Sequence, residues 1–187
     1  MNRSQSLAAL LLGITMAVTW WLSGGKDSGE PLPVSMEHEV DYYLADFTST
    51  ETDVNGRPAR RLVAERMSHF KDDDSTELLR PNLTIYEEPR PPWRVVSESG
   101  WVSPDGEVVL LRGEVHIDRD AGQDVRPLNV VTRDLRVQPK HSYAETDQPA
   151  ILVSAGSRID TVGVQAWFST PTHFKFLSRV RGHYEVN

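Results

Sequence analysis

The 187-residue chain has no cysteine, 39% hydrophobic residues and a formal net charge of −7. That length suits one domain with a sizeable core and an appendage rather than two full domains. The missing cysteine excludes a disulfide framework, a cysteine-based zinc site and a lipidated N-terminal cysteine, and the negative charge argues against a nucleic-acid partner drawn in by bulk electrostatics.

The first element is Leu7 to Leu22, LAALLLGITMAVTWWL, which is uncharged throughout and preceded by Arg3. It reads as membrane-directed, either a cleaved signal peptide or an uncleaved single-pass anchor. Extension through Ser4 to Ser23 reaches the roughly 20 residues a span needs, and Trp20-Trp21 then fall at an interface, where indoles prefer to sit. The anchor is the favoured reading, with a cytoplasmic N-terminus, because the positive charge precedes the helix. Residues 24–39 follow as a Gly- and Pro-punctuated tether, and residues 40–187 as the folded domain.

From Val40 onward, turn signals separate strand-like runs. Turns are expected at Asn55-Gly56, Lys71 to Asp74, Glu88 to Pro92, Pro104-Asp105-Gly106, Ala121-Gly122, Pro139-Lys140, Asp147 to Pro149, Ala155-Gly156 and Thr170-Pro171. The clearest unit is Trp93 to Asp118, a hairpin reversing at Pro104-Asp105-Gly106. On its second arm Val109, Leu111, Gly113, Val115 and Ile117 alternate with Arg112, Glu114, His116 and Asp118. A shift of 32 residues lays Val63 on Val95, Leu79-Arg80 on Leu111-Arg112, Leu83 on Val115 and Ile85 on Ile117. A weaker echo sets Leu177-Ser178-Arg179 on Leu110-Leu111-Arg112. Such hairpins cannot bury an apolar face alone and are expected to stack. Near the end, parity puts Phe174, Phe176, Val180 and Tyr184 on one face and Lys175, Arg179 and Arg181 on the other. With no helical stripe after residue 24, the fold class is all-β, a stack of antiparallel hairpins.

No chemistry-bearing motif emerges. The six histidines form no His-x-His or His-Glu-x-x-His pair, Asp72-Asp73-Asp74-Ser75 lacks the rest of an EF-hand loop, Gly25-Lys26 is followed by Asp27 where a P-loop needs Ser or Thr, and no Gly-x-Ser-x-Gly elbow occurs. No catalytic residue, metal ligand or cofactor is therefore assigned. A membrane anchor joined to one-sided strands with open edges points to binding, since edge strands are templates for a partner's strand.

Several words resemble, in order and spacing, the lipopolysaccharide-export LptC family: Asn55-Gly56-Arg57-Pro58, Asp72 to Glu77, Arg80-Pro81, Pro92-Trp93, Gly113-Glu114-Val115, Tyr143-Ala144-Glu145-Thr146 and Val180-Arg181-Gly182-His183-Tyr184-Glu185. The likeness covers nearly the whole chain. It implies a twisted β jelly roll in the periplasm, held by one inner-membrane helix beside an ABC transporter of LptB, LptF and LptG. The N-terminal edge and helix would face that transporter, and the C-terminal edge, Arg179 to Gly182, would pass lipopolysaccharide to LptA. Family groove residues correspond to Phe47, Leu78, Phe174 and Tyr184, with Phe176 added by parity; a turn glycine corresponds to Gly56, and a partner-contact position to Gly156. Strand parity instead favours Leu79 over Leu78 unless Pro81 marks a bulge that swaps faces. Two other readings stay open: a structural anchor with an ordinary filled core, and a glycan-binding or enzymatic domain using Trp93, Trp101 or Trp167 as a sugar platform.

Overall fold

The computed structural model describes residues 39–168 and 171–184. The predicted anchor and the tether up to residue 38 lie outside the described residues; among those described, no helix is long and apolar enough to cross a membrane. The domain is an antiparallel sheet of ten strands: β1 Val40–Thr52, β2 Pro58–Phe70, β3 Thr76–Leu79, β4 Asn82–Glu87, β5 Arg90–Val102, β6 Val109–Arg119, β7 Leu128–Gln138, β8 Tyr143–Ser154, β9 Ser157–Trp167 and β10 His173–His183. Neighbours in sequence are neighbours in space, except that β3 and β4 share one position between β2 and β5; β1 and β10 are the edges.

Turn chemistry sets the hairpins. In the β1–β2 loop the Asp53 carboxylate accepts the N–H groups of Asn55 and Arg57, and Gly56 sits at φ +79. The Arg57 amide is the main reason the Asp53 carboxyl lies below its ordinary range. The β5–β6 loop repeats the device: Asp105 accepts from the Ser103 hydroxyl and the Glu107 N–H, with Gly106 at φ +65. Ala155 and Gly156, both at positive φ, make the two-residue turn between β8 and β9. Nothing lies within 4 Å of a Cβ built on Gly56, so Gly56→Val acts through backbone strain alone. It is expected to cost about 1–3 kcal/mol, measured as a lowered melting temperature; an unchanged melt would contradict the strained turn.

The sheet is creased across nearly its full width. Positive-φ residues occur at Asp46 in β1, Arg80 between β3 and β4, Gly113 in β6, Asp134 in β7, Gly163 in β9 and Arg179 in β10. They lie side by side, because Ala45 pairs with Arg66, Arg66 with Leu79, Leu79 with Ser99, Leu111 with Leu135 and Val162 with Ser178. Register slips at the same line between Ser97 and Ser99, Leu111 and Glu114, Val131 and Arg136, Thr146 and Pro149, and Ser178 and Arg181. Each strand therefore bends where its neighbours bend, as bulges do. The predicted turn at Asp147 to Pro149 is one of these bulges inside a continuous β8, the place where a strand tolerates proline.

Backbone groups released by the bulges are taken up locally. Gly113 N–H donates to Asp134 Oδ1 at 2.9 Å, Glu114 N–H to Glu98 Oε1 at 3.1 Å, and the hydroxyls of Thr132, Thr146 and Thr161 to the carbonyls of Pro149, Arg133 and Ser178. That accounts for three buried threonines in an apolar interior.

The crease divides the sheet into two arms that fold over one another. Trp93 of β5 meets Phe168, just after β9, edge to face with ring centroids 6.1 Å apart, although three strands separate β5 from β9 in the sheet. Core residues come from both arms of one strand, as with Val130 and Leu135 on either side of Asp134, and Val115 is fully buried between them. The 32-residue repeat proves structural in one respect: Pro81, beside the Arg80 bend, falls on Gly113, the bend of β6. The ladders themselves differ, since Gly100 pairs with Leu111 whereas Arg66, not Ser68, pairs with Leu79.

Candidate functional site

Between the arms lies an apolar cavity. One wall is Trp93, Ile117, Leu128, Val130 and Ala150, and the other Leu135, Ala144, Val164, Ala166, Phe168 and Phe174. The hydroxyls of Thr132 and Thr146, also in the lining, are engaged with backbone carbonyls, and among the described residues no ionisable side chain enters. The free space is small, about 30 Å³ for the centre of a water-sized sphere. That would admit on the order of two or three waters. As it stands, the interior is nearer a filled core than an open groove.

Among the described residues no strand pairs with the outer edge of β1 or of β10. β1 exposes side chains on both faces, among them Val40, Tyr42, Tyr43 and Leu44, and Phe47 alone is half-buried. In β10, Phe174 and Phe176 pack inward with parallel rings 6.5 Å apart, while every residue from Leu177 to His183 is exposed.

The family model for lipopolysaccharide-assembly, LptC-related proteins matches residues 8–185. The chain belongs to the LptC-related family. A crystal structure of LptH from Pseudomonas aeruginosa, described as the LptA-homologous periplasmic component of the lipopolysaccharide transport device, is similar over 78% of this chain and 94% of that one, at 8% identity and a TM-score of 0.47. A search of the curated proteins gave no match.

The residues singled out from the sequence fall into distinct places in this LptC-related chain. Phe174 lines the cavity and Phe176 packs beside it. Leu78 is 7% exposed and Leu79 45%, so Leu78 faces inward; the Arg80–Pro81 break swaps faces between β3 and β4, as the bulge alternative required. Leu78 packs against the Gly100 and Pro81 region of the neighbouring strands and is outside the main cluster. Phe47 lies across from Ala64 on the edge hairpin, away from the cavity lining.

Tyr184 is a correction: it is 69% exposed. Gly182 pairs with Ile159, which packs on the core, so Gly182 and Tyr184 keep the face of Phe174 and Phe176 across the bulge at Arg179, φ 51; this end of the edge strand lies beyond the cavity lining, and Tyr184 rests near Gly182 instead. Arg179, Val180, Arg181 and Gly182 are all exposed on the β10 edge, whereas Gly56 and Gly156 sit in separate turns. Trp93, at 5% exposed, cannot serve as a sugar platform, and Trp167 packs on Tyr143 with centroids 5.2 Å apart.

Sequence reading missed most of the wall. Ile117, Val164, Ala166 and Phe168 carried the alternation signal but no reason to prefer them over other inward residues. Thr132 and Thr146 read as polar, and their pairing with bulge carbonyls is visible only once the crease is known.

Proposed function

We propose that this chain is a lipopolysaccharide carrier whose periplasmic β jelly roll receives the lipid from the LptB-LptF-LptG transporter and passes it to LptA. Acyl chains lie between the two arms, and an N-terminal helix holds the domain at the inner membrane. The observation that carries this reading is an apolar interior, free of charged side chains among the described residues, between arms that share a crease but, among those residues, no hydrogen-bond ladder at their tips. Parting the arms breaks side-chain packing and leaves every strand pairing intact. Burial of an acyl chain contributes about 0.8 kcal/mol per methylene, so ten carbons offset on the order of 8 kcal/mol of lost packing and ordering. A negatively charged domain can then hold an anionic glycolipid through its apolar part. The unpaired edges suit strand addition, β1 toward the transporter and β10 toward LptA.

The narrow cavity favours a second reading, a scaffold that recruits partners through its edges and carries no lipid. One deletion helps separate lining from docking. Removing residues 179–187 takes away the exposed half of β10 and leaves Phe174 and Phe176 in place. The carrier reading expects lipopolysaccharide to crosslink to the truncated chain while capture of LptA falls at least tenfold. Undiminished capture would remove the exit edge from the account, and absence of lipid from both full-length and truncated chains would leave the scaffold.

A further inference from the structure

The inner face of β6 runs Val115, Ile117 and then Arg119, which ends the apolar row with a cation. Arg119 pairs across the sheet with Trp93 on one side and Leu128 on the other, both of which line the cavity. Its guanidinium lies over the Trp93 ring, 4.1 Å from the centroid, beside the Trp93–Phe168 contact where the arm tips meet. Arg94, Arg112, Arg136 and Arg158 each hold a carboxylate; among the described residues Arg119 forms no ion pair, and its buried Nε has no hydrogen-bond partner. Burial is the main influence lowering its pKa, Glu87 acts against that, and Arg90 adds to it. A half-buried guanidinium held on a ring face with one N–H unsatisfied can donate to an anion, with Glu87 and Arg90 both near enough to act on its charge.

We propose that Arg119 recognises the phosphate of the amphiphile whose acyl chains lie between the arms, and so makes the carrier selective for phosphorylated lipids. The proposal rests on the carrier reading above. Trp93 holds the guanidinium flat at the mouth, the chains lie inward along Ile117 and Leu128, and the phosphate stays at the tip, where Arg119 can donate two parallel N–H bonds.

The test uses the full-length chain in membrane vesicles with a photoreactive residue at position 174, offered lipid A or dephosphorylated lipid A below saturation. Crosslinking to the phosphorylated lipid should exceed that to the dephosphorylated one by about tenfold, the yield of a charge-assisted bond. Arg119→Met keeps an aliphatic stem on Trp93 and should erase the preference while retaining the weaker crosslink. Arg119→Lys, which keeps the charge without the fork, should retain part of it. The preference should survive excess inorganic phosphate, because the tethered headgroup binds with its chains; its disappearance there would overturn the headgroup assignment in favour of a free anion. Equal crosslinking of both lipids to the wild type overturns the role of Arg119 and leaves the carrier reading standing. No crosslinking of either overturns both. Loss of both crosslinks in Met and Lys variants alike would show a structural residue and also overturn the proposal.

Discussion

Phe174→Asp is expected to reduce lipopolysaccharide loading at least a hundredfold while leaving LptA capture within a few-fold of wild type. The side chain is part of the cavity wall. A carboxylate there must either be desolvated against acyl carbons, at several kcal/mol, or pull the arm open to water. The backbone of β10, which would carry the strand junction, keeps its pairing with β9 through Phe174↔Ala166 and Phe176↔Val164. Co-purified lipid, quantified per mole of protein, and a parallel LptA pull-down check the two halves separately. Equal loss of both would mean that the arm had unfolded and that lining and docking are not separable.

Gly163→Val is expected to cost about 2–5 kcal/mol, a large share of the stability of a single domain. Two effects add at this position. Gly163 sits in the crease at φ +80, which a β-branched residue adopts only under strain, and a Cβ there would stand 2.8 Å from Leu177 Cδ1 and 3.0 Å from its Cβ. Gly106, with φ +65 and nothing within 4 Å, supplies the control: Gly106→Ala carries strain without collision and should cost about 1 kcal/mol. Urea unfolding of the two variants gives the comparison. Similar small losses for both would mean that the crease is not sterically fixed at β9.

Hairpins were legible in the sequence because each turn announces itself chemically. Pro104-Asp105-Gly106, Asn55-Gly56 and Ala155-Gly156 all mark observed reversals, and Val115 and Ile117 fall on the buried face that their alternation indicated. The crease was not legible. Four of its positive-φ positions are Asp46, Arg80, Asp134 and Arg179, ordinary polar residues on a wet strand face, and only Gly113 and Gly163 carry the residue type that suggests a bend. Some of the missed bends reverse the inside-outside assignment beyond them, as at Arg80–Pro81 and at Asp134, whereas Leu111, Val115 and Ile117 keep theirs across Gly113. The first kind is why Leu78 and Leu79 are not separated by counting; the bulge in β8 is why Asp147 to Pro149 reads as a turn, and Tyr184 is exposed because it lies on the edge strand beyond the cavity lining. The cavity is a consequence of the crease, so its walls were hidden for the same reason: Trp93 and Phe168 are 75 residues apart and meet only when the arms fold over.

The central claim is that acyl chains lie between the arms, and crosslinking from paired positions on one strand tests it most directly. A photoreactive residue at Phe174 faces the cavity; one at Lys175, next along β10, faces solvent. In cells carrying the full-length chain, lipopolysaccharide should crosslink strongly from position 174 and at background level from position 175. Crosslinks of equal strength from both, or from 175 alone, would place the lipid on the outside of the sheet and contradict the account.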